Sequence, residues 1–193
     1  LMSRPKKTDN MITGKERIKK AFWELYMKKP IKDIGIKEVA ALADCNRTTF
    51  YYHYDSLYNV LDEIESECVF SDAPQFFVRI MKNDGDLNEL LTYVVNNQAK
   101  ITRICHLLSS RGDPAFARKM KNALLEEWRK VLFPDNDQIP KKKRIILEYF
   151  MGGSLGLMAS LSEDPEFTME EVVTVLLQVF SKDMSQIIYK IIY

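Results

Sequence analysis

The segment NRTTFYYHY, residues 46–54, concentrates side chains that could bind other molecules. An arginine guanidinium pairs with guanine or phosphate, a threonine offers a hydroxyl and a methyl group, and tyrosine and histidine reach phosphate oxygens. The same residues would also suit a buried strand or a platform on which bases stack. The secondary structure of this segment and of its neighbours decides between these three interpretations.

The other reactive side chains form no catalytic or metal-binding pattern. Cys105 and His106 are adjacent, but no second Cys or His lies near enough for a zinc site. The spacing of Cys45, His53 and Cys68 fits no ligand pattern. The sequence also lacks a phosphate-binding glycine-rich loop, a nucleophile elbow and a dinucleotide fingerprint. We therefore expect a protein that is not an enzyme and that holds no metal and no cofactor.

The segments before residue 46 have helical periodicity. Apolar residues recur every three or four positions from Thr13 to Lys28, and Thr13 with Glu16 has the form of a capping box. A second helix is predicted over residues 36–43, and residues 44–46 form a turn that ends on Asn46, a good N-cap. Two helices joined by this short turn predict a helix-turn-helix.

Residues 47–54 are thus predicted to form a helix rather than a strand. Phe50 and Tyr54 are four residues apart and are expected to point inward. Arg47, Thr48, Tyr51 and Tyr52 remain for the outer face, and His53 lies near the end of the helix. This is the pattern of a helix that reads base edges and phosphates in a DNA groove.

The rest of the chain is also predicted to be helical, so the fold class is all-α. The expected helices cover residues 87–109, 113–132, 141–161 and 168–192. We expect a helix-turn-helix DNA-binding domain over residues 1–55, with a basic tail at 1–12. A helical regulatory and dimerisation domain follows over residues 56–193, in which residues 56–70 form a connecting helix.

Charge is unevenly distributed along the chain. The net charge is only +1, but residues 1–55 hold 12 Lys/Arg and 7 Asp/Glu, whereas the remainder holds 16 and 20. A basic N-terminal part on an acidic body favours contact between that part and a polyanion. A solvated lysine-rich surface would have the same composition, so charge alone does not decide.

Three spaced patterns, I18-x-x-A21-F22-x-x-L25, I36-x-x-V39-A40-x-x-A43 and T49-F50-Y51-Y52-H53-Y54, together resemble the N-terminal domain of TetR family transcriptional regulators. The likeness covers residues 13–64. Further along, ICHLLSSRGDPAFARKM and FMGGSLGLM resemble segments of Firmicutes-type members. The resemblance implies a homodimeric repressor that leaves a palindromic operator in double-stranded DNA when a small-molecule effector binds.

Carried over position by position, the resemblance implies contacts to base edges and to phosphates. Base edges would be read by Arg47, Thr48 and Thr49. The full expected DNA-binding set is Lys37, Asn46, Arg47, Thr48, Thr49, Tyr51, Tyr52 and His53.

The chain departs from the family pattern at three positions. Asp44 stands where the turn glycine is usual, and aspartate tolerates left-handed geometry at some cost. Leu57 replaces a lysine that meets a phosphate, so one phosphate contact is expected to be missing. Ile36 replaces a backbone-contacting threonine or serine, with Lys37 as a substitute. Asp44 and Leu57 favour a second hypothesis, a TetR-like co-regulator that acts through protein contacts with weak or no DNA binding of its own.

The last two predicted helices carry more apolar and small residues than one neighbour needs, so we expect them to pair with a second copy as a four-helix bundle. The expected interface is Gly152, Gly153, Gly156, Leu176, Phe180, Met184 and Ile187. The resemblance also implies an effector pocket among the middle helices, although the same side chains suit a plain core. Its expected lining is Phe77, Tyr93, His106, Phe116, Met120, Trp128 and Tyr149.

The sequence favours a cytoplasmic location without a membrane partner. It has no uninterrupted apolar run of the ~18 residues that a membrane span needs, and its first 15 residues lack the apolar centre of a secretory signal. Three cysteines, an odd number spread far apart, are typical of free thiols in a reducing compartment.

Overall fold

The computed structural model describes residues 13–69 and 87–179, and the chain divides into two compact units, residues 1–66 and 67–193. Within the described ranges all regular structure is helical: nine α-helices and one short 3-10 helix, with no strand. The all-α class predicted from the periodicity is therefore confirmed for these residues. Each unit is described separately.

The first unit contains four helices. They are α1 (Gly14–Tyr26), α2 (Ile36–Leu42), α3 (Arg47–His53) and α4 (Leu57–Glu67), and a 3-10 turn (Ile31–Asp33) lies between α1 and α2. The first compact unit extends to Ser66 and so includes most of α4, which the sequence predicted as part of a connecting helix over residues 56–70. Helix α4 contributes buried apolar residues such as Val60 and also pairs with α1 through Glu63.

The start of α1 confirms the predicted capping box. The backbone N–H of Thr13 donates to a carboxylate oxygen of Glu16 over 2.9 Å, and the backbone N–H of Glu16 donates to the Thr13 hydroxyl over 3.2 Å. The hydrogen bonds from the backbone and then from the hydroxyl of Thr13 lower the pKa of Glu16. Two N–H groups at the helix start are thus satisfied, which fixes where α1 begins.

The core of the first unit forms where the inward faces of its helices meet, and α1 packs against both α2 and α3. Phe22 and Tyr26 of α1 stack with ring centroids 5.5 Å apart. Five side chains of this core are completely buried: Ile18, Phe22, Val39, Phe50 and Val60. Because these include residues of all four helices, burial of apolar area fixes how the short α2 and α3 lie.

The turn between α2 and α3 is a Schellman motif with an aspartate at its left-handed position. Asp44 has φ 50°, the only positive φ of a non-glycine residue in the described ranges. The N–H of Cys45 donates to the carbonyl of Ala40 over 2.9 Å, and that of Asp44 donates to Ala41 over 3.2 Å. These two bonds are the ones that define the motif, whose left-handed position is usually a glycine.

Variants of Asp44 are expected to differ in their free energy of unfolding according to how well each new residue tolerates this left-handed backbone conformation. Asp44→Gly should raise the free energy of unfolding by ~0.5–1 kcal/mol, and Asp44→Ala should lower it by about 1 kcal/mol. Asp44→Asn should lie between them, because asparagine tolerates the left-handed region. All three variants lose the same carboxylate. The stability order Gly, Asn, Ala therefore reflects the free-energy cost of the positive φ at residue 44. Urea unfolding followed by circular dichroism measures it, and an alanine variant as stable as the glycine variant would contradict the expectation.

Glu63 on α4 holds that helix against α1. Its carboxylate lies 2.7 Å from Nζ of Lys15 and 3.1 Å from Nζ of Lys19, and it accepts a hydrogen bond of 3.1 Å from the Tyr54 hydroxyl. Burial raises the pKa of Glu63, but the hydrogen bonds from Lys15, Lys19 and Tyr54 outweigh burial and leave the pKa below its ordinary value. The folded state therefore favours the ionised carboxylate.

The lowered pKa of Glu63 gives stability a defined pH dependence. The contribution is complete above the unfolded pKa of ~4.3 and disappears as pH falls through the lower folded value. Glu63→Gln should cost about 1 kcal/mol at pH 7 and much less at pH 3, since the ion pairs are only partly buried. Urea unfolding at both pH values tests this. Glu24→Gln, which removes an exposed carboxylate from α1, is the control and should cost little at either pH.

The second unit contains five described helices. They are α5 (Leu87–Asn96), α6 (Gln98–Leu108), α7 (Phe116–Leu132), α8 (Lys141–Glu163) and α9 (Met169–Val179). Helices α6 and α7 pack against each other and both pack against α8, whereas α5 packs against α6 and α9. One apolar cluster between α7 and α8 is built on four buried residues: Leu125, Phe133, Leu147 and Met151.

Two predicted helix boundaries in this unit are wrong. The single helix expected over residues 87–109 is interrupted at Asn97, whose side-chain amide donates to the carbonyl of Tyr93 over 2.9 Å. The backbone N–H of Asn97 also donates to the carbonyl of Tyr93 over 3.1 Å and to that of Val94 over 3.2 Å, a sharing typical of helix ends. The helix expected from Asp113 begins at Phe116, because the Asp113 carboxylate accepts from the N–H of Ala115 over 2.8 Å and first closes a turn.

Among the described helices, α8 alone is long and apolar enough to cross a membrane by length and composition. This is weak evidence for a span, and the structure is compatible with a soluble protein. Only 17% of the most apolar stretch of α8 is buried within the chain, so much of its surface is left uncovered.

Candidate nucleic-acid interface

Helix α3 begins where the sequence predicts, because Asn46 caps it. The side-chain oxygen of Asn46 accepts from the backbone N–H of Thr49 over 2.7 Å and from the Thr49 hydroxyl over 3.0 Å. The preceding turn and this cap together determine which residues of α3 face inward.

The two faces of α3 divide as predicted. Phe50 is completely buried and Tyr54 is 5% exposed, with ring centroids 6.0 Å apart. On the other side Tyr51 is 54% exposed and Tyr52 is 84% exposed. Arg47 and Thr48 are also exposed. The outer face of α3 therefore presents an arginine, a threonine and two tyrosines to the surroundings, and we call these four side chains the α3 flank.

The polar atoms of the predicted DNA-binding residues differ in availability. Within residues 13–69, the side chains of Arg47 and Thr48 make no hydrogen bond or ion pair. The hydroxyl proton of the half-buried Thr49 is instead donated to Asn46. Asn46 and Thr49 therefore position the start of α3, whereas the polar side-chain atoms of Arg47 and Thr48 have no hydrogen-bond partner within residues 13–69.

Two further predicted residues lie beside the α3 flank. His53 is half-buried, meets the Tyr52 ring edge to face at 4.9 Å, and lies close to the start of α1. A methyl group added at Gly14 would lie only 3.3 Å from Nε2 of His53. Lys37 is exposed on α2. By contrast, Leu57, which occupies the position of an expected lysine, is 8% exposed and belongs to the core.

Near the α3 flank, Asp44 and Arg17 form an ion pair that the sequence patterns did not predict. The Asp44 side chain is fully exposed, and its Oδ2 lies 4.0 Å from Nη1 of Arg17 on α1. Glu38 on α2 is turned to Lys29 over 2.7 Å, and this hydrogen bond is the main cause of its lowered pKa. No sequence spacing indicates the contact between Arg17 and Asp44, because it depends on how α1 crosses the turn.

The residues predicted to line an effector pocket do not all come together. His106, Phe116 and Met120 are 1–2% exposed, so they lie in the interior of the second unit. Trp128 packs on the cluster between α7 and α8, whereas Tyr93 packs near Val173 in a separate cluster.

Tyr149 is 77% exposed and so lies on the surface of the second unit instead of in its interior. The reason is its position on α8, on the side opposite the buried Leu147 and Met151. Phe77 lies outside the described residues.

Burial raises the pKa of the thiol of Cys105, the neighbour of His106 in sequence, to about 11. The thiol is therefore protonated and unreactive at neutral pH.

The predicted dimer residues on α8 are uncovered. Gly152, Gly153 and Gly156 are exposed, and a methyl group added at any of them would meet no atom within 4 Å. Ile145 at 61% and Tyr149 at 77% exposure continue the same side of the helix. We call these five residues the α8 stripe. The Leu176 side chain and residues Phe180, Met184 and Ile187 lie outside the described part of the chain.

The described residues thus define an all-helical, two-unit protein with an exposed arginine- and tyrosine-bearing flank on a short capped helix. They contain no group of three His, Cys, Asp or Glu placed to hold a metal ion. Comparison of the chain with family models, curated proteins and solved structures finds no match.

Proposed function

We propose that the protein is a homodimeric, sequence-specific DNA-binding transcriptional regulator in which α2, the turn and α3 act as a helix-turn-helix. The observation that carries this proposal is the α3 flank: Phe50 and Tyr54 anchor the helix, and Arg47, Thr48, Tyr51 and Tyr52 face outward. An α-helix with such a face fits the major groove of B-form DNA.

The roles proposed within the interface follow from side-chain chemistry and exposure. Arg47 pairs with the two acceptors of a guanine, and Thr48 contacts a neighbouring base through its hydroxyl or methyl group. Thr49 has a smaller part in base reading, since its hydroxyl is bonded to Asn46. Phosphate contacts come from Lys37, Tyr51, Tyr52 and His53 and set the register of the helix on the duplex.

A second copy is proposed to pack against the α8 stripe. If two α8 helices cross antiparallel about a two-fold axis at residues 152–153, Tyr149 of each copy lies over Gly156 of the other. The glycines let the two backbones approach closely, and the tyrosine ring covers the space that their missing side chains leave. The same arrangement brings the basic start of α8 (residues 141–144) near the acidic end of the other copy (residues 163–166), so the charges are complementary.

Dimerisation supports DNA reading because one α3 makes few contacts. Two α3 helices on one face of the duplex would read a palindrome with half-sites about one turn, ~34–36 Å, apart. We propose that the protein acts in the cytoplasm as a repressor, and that a small molecule entering the second unit near His106, Phe116 and Met120 releases it from its operator. The proposal gives the protein no catalytic role.

Two observations favour a second candidate, a co-regulator that acts through protein contacts. The exposed Asp44 carboxylate next to α3 repels phosphates, and the buried Leu57 supplies no phosphate contact. Under this candidate the protein would show no salt-dependent binding to DNA.

Selection of bound sequences from random duplex DNA tests the proposal against this alternative. We expect enrichment of a palindrome, and an affinity for it that falls steeply as salt rises, because bound counterions are released on complex formation. A pool that stays random after repeated rounds, together with affinity that does not depend on salt, would favour the co-regulator.

A further inference from the structure

We propose that Arg17 is an additional phosphate-binding residue of the DNA interface, and that Asp44 occupies it when DNA is absent. This inference rests on the proposed function of α3. It assigns a DNA-binding role to α1 and makes Asp44 an autoinhibitory group.

The first turn of α1 has a contact near each end of α3. At one end Gly14 adjoins His53, the last residue of α3, with only 3.3 Å between its added methyl position and Nε2. At the other end Arg17 reaches Asp44, in the turn just before α3 begins. Arg17 therefore lies near the turn that leads into α3, in which Asp44 stands three residues before the exposed Arg47.

Three of the four basic residues of α1 form ion pairs within residues 13–69, and these three face two directions. Lys15 and Lys19 are bound to Glu63 at 2.7 and 3.1 Å, which turns them towards α4. Arg17 has a different orientation, and its side chain is 44% exposed. Within residues 13–69, Asp44 is its ionic partner. Of these three cations, Arg17 is the one at the surface proposed to face DNA.

The contact between Arg17 and Asp44 is easily exchanged. Its length, 4.0 Å, is the longest of the ion pairs between residues 13 and 66, and the Asp44 carboxylate is fully exposed to solvent. A phosphate group offers two free oxygens that a guanidinium binds in the same forked geometry as a carboxylate. When DNA approaches, a phosphate can thus replace Asp44. Asp44 opposes binding twice: by direct repulsion and by holding Arg17.

The test is a double-mutant cycle with Arg17→Gln and Asp44→Asn, measured by fluorescence anisotropy on the duplex selected by the unaltered protein and on a scrambled duplex. Asparagine keeps the shape of Asp44 and tolerates φ 50°. Arg17→Gln should weaken binding to both duplexes by a similar factor, and reduce the salt slope by about one per copy. Asp44→Asn should tighten binding about tenfold alone but only two- to threefold with Arg17→Gln, since part of its effect passes through Arg17.

Two further variants act as controls. Arg17→Lys keeps a charge for phosphate and should retain the salt slope, whereas Arg118→Gln removes an exposed charge from the second unit and should not change it. An unchanged slope in Arg17→Gln, or an equal gain from Asp44→Asn in both backgrounds, would overturn the inference while DNA binding itself stands. Absence of salt-dependent binding by the unaltered protein would instead overturn the proposed function.

Discussion

Replacing Arg47 by alanine is expected to weaken binding to the preferred duplex by ~1–3 kcal/mol and to relax the base preference at one position in each half-site. The side chain is exposed, makes no ion pair within residues 13–69, and stands at the first position of α3. Under the proposed function, its loss removes two hydrogen bonds to a guanine and leaves the base acceptors unpaired. Repeating the selection from random duplexes with the variant measures the change directly.

The effect of Arg47→Ala must be separated from a simple loss of charge. Arg118→Ala removes an equally exposed arginine from the second unit and should leave both affinity and base preference nearly unchanged. The fold of the Arg47 variant should be intact, because the α3 core rests on Phe50 and Tyr54. A variant that binds more weakly but selects the same sequence would assign Arg47 to a phosphate and leave base reading to Thr48.

The second large effect is expected from Gly153→Glu, which should shift the protein from dimer to monomer. In a paired α8 stripe the added carboxylates would be buried and unpaired close to the two-fold axis. An uncompensated buried charge costs ~3–5 kcal/mol, and both copies contribute one, so the dissociation constant should rise at least a hundredfold. Sedimentation velocity over a range of protein concentrations measures this shift.

The same variant should not damage the folded single chain, which makes the test specific. A side chain at residue 153 meets no atom of its own chain within 4 Å, and replacing a glycine inside a helix removes a penalty of about 0.5–1 kcal/mol. Gly153→Glu should therefore raise helix stability while it breaks the dimer. Asn122→Glu, at an exposed position of α7, is the matched control for added charge. If Gly153→Glu sediments as the unaltered protein does, the α8 stripe is not the dimer contact.

Local features of the fold were predictable because they depend on neighbours in sequence. The capping box of Thr13 and Glu16, the Asn46 cap and the inward orientation of Phe50 and Tyr54 follow from spacings of three or four residues. The start of α8 and the loop before it were located for the same reason. The candidate interface could therefore be read largely from residues 36–54.

Features that depend on competition or on long-range contact were not predictable. At Asn97 the backbone N–H is shared between the carbonyls of Tyr93 and Val94, and the periodicity of apolar residues does not predict this break. The ion pairs of Glu63 with Lys15 and Lys19 join α4 to α1 across a long stretch of chain. Tyr149 was expected near the effector, but its side of α8 is the exposed one.

The sequence by itself determined the helical class, the caps and the residues on the outer face of α3, because short-range hydrogen bonds and apolar spacing act within one or two helical turns. Only the tertiary structure decided that Arg17 meets Asp44 and that Glu63 joins α4 to α1. It also decided that the glycines of α8 are open to solvent. These three features depend on how whole helices cross, and burial of apolar side chains distributed over the chain sets those crossings.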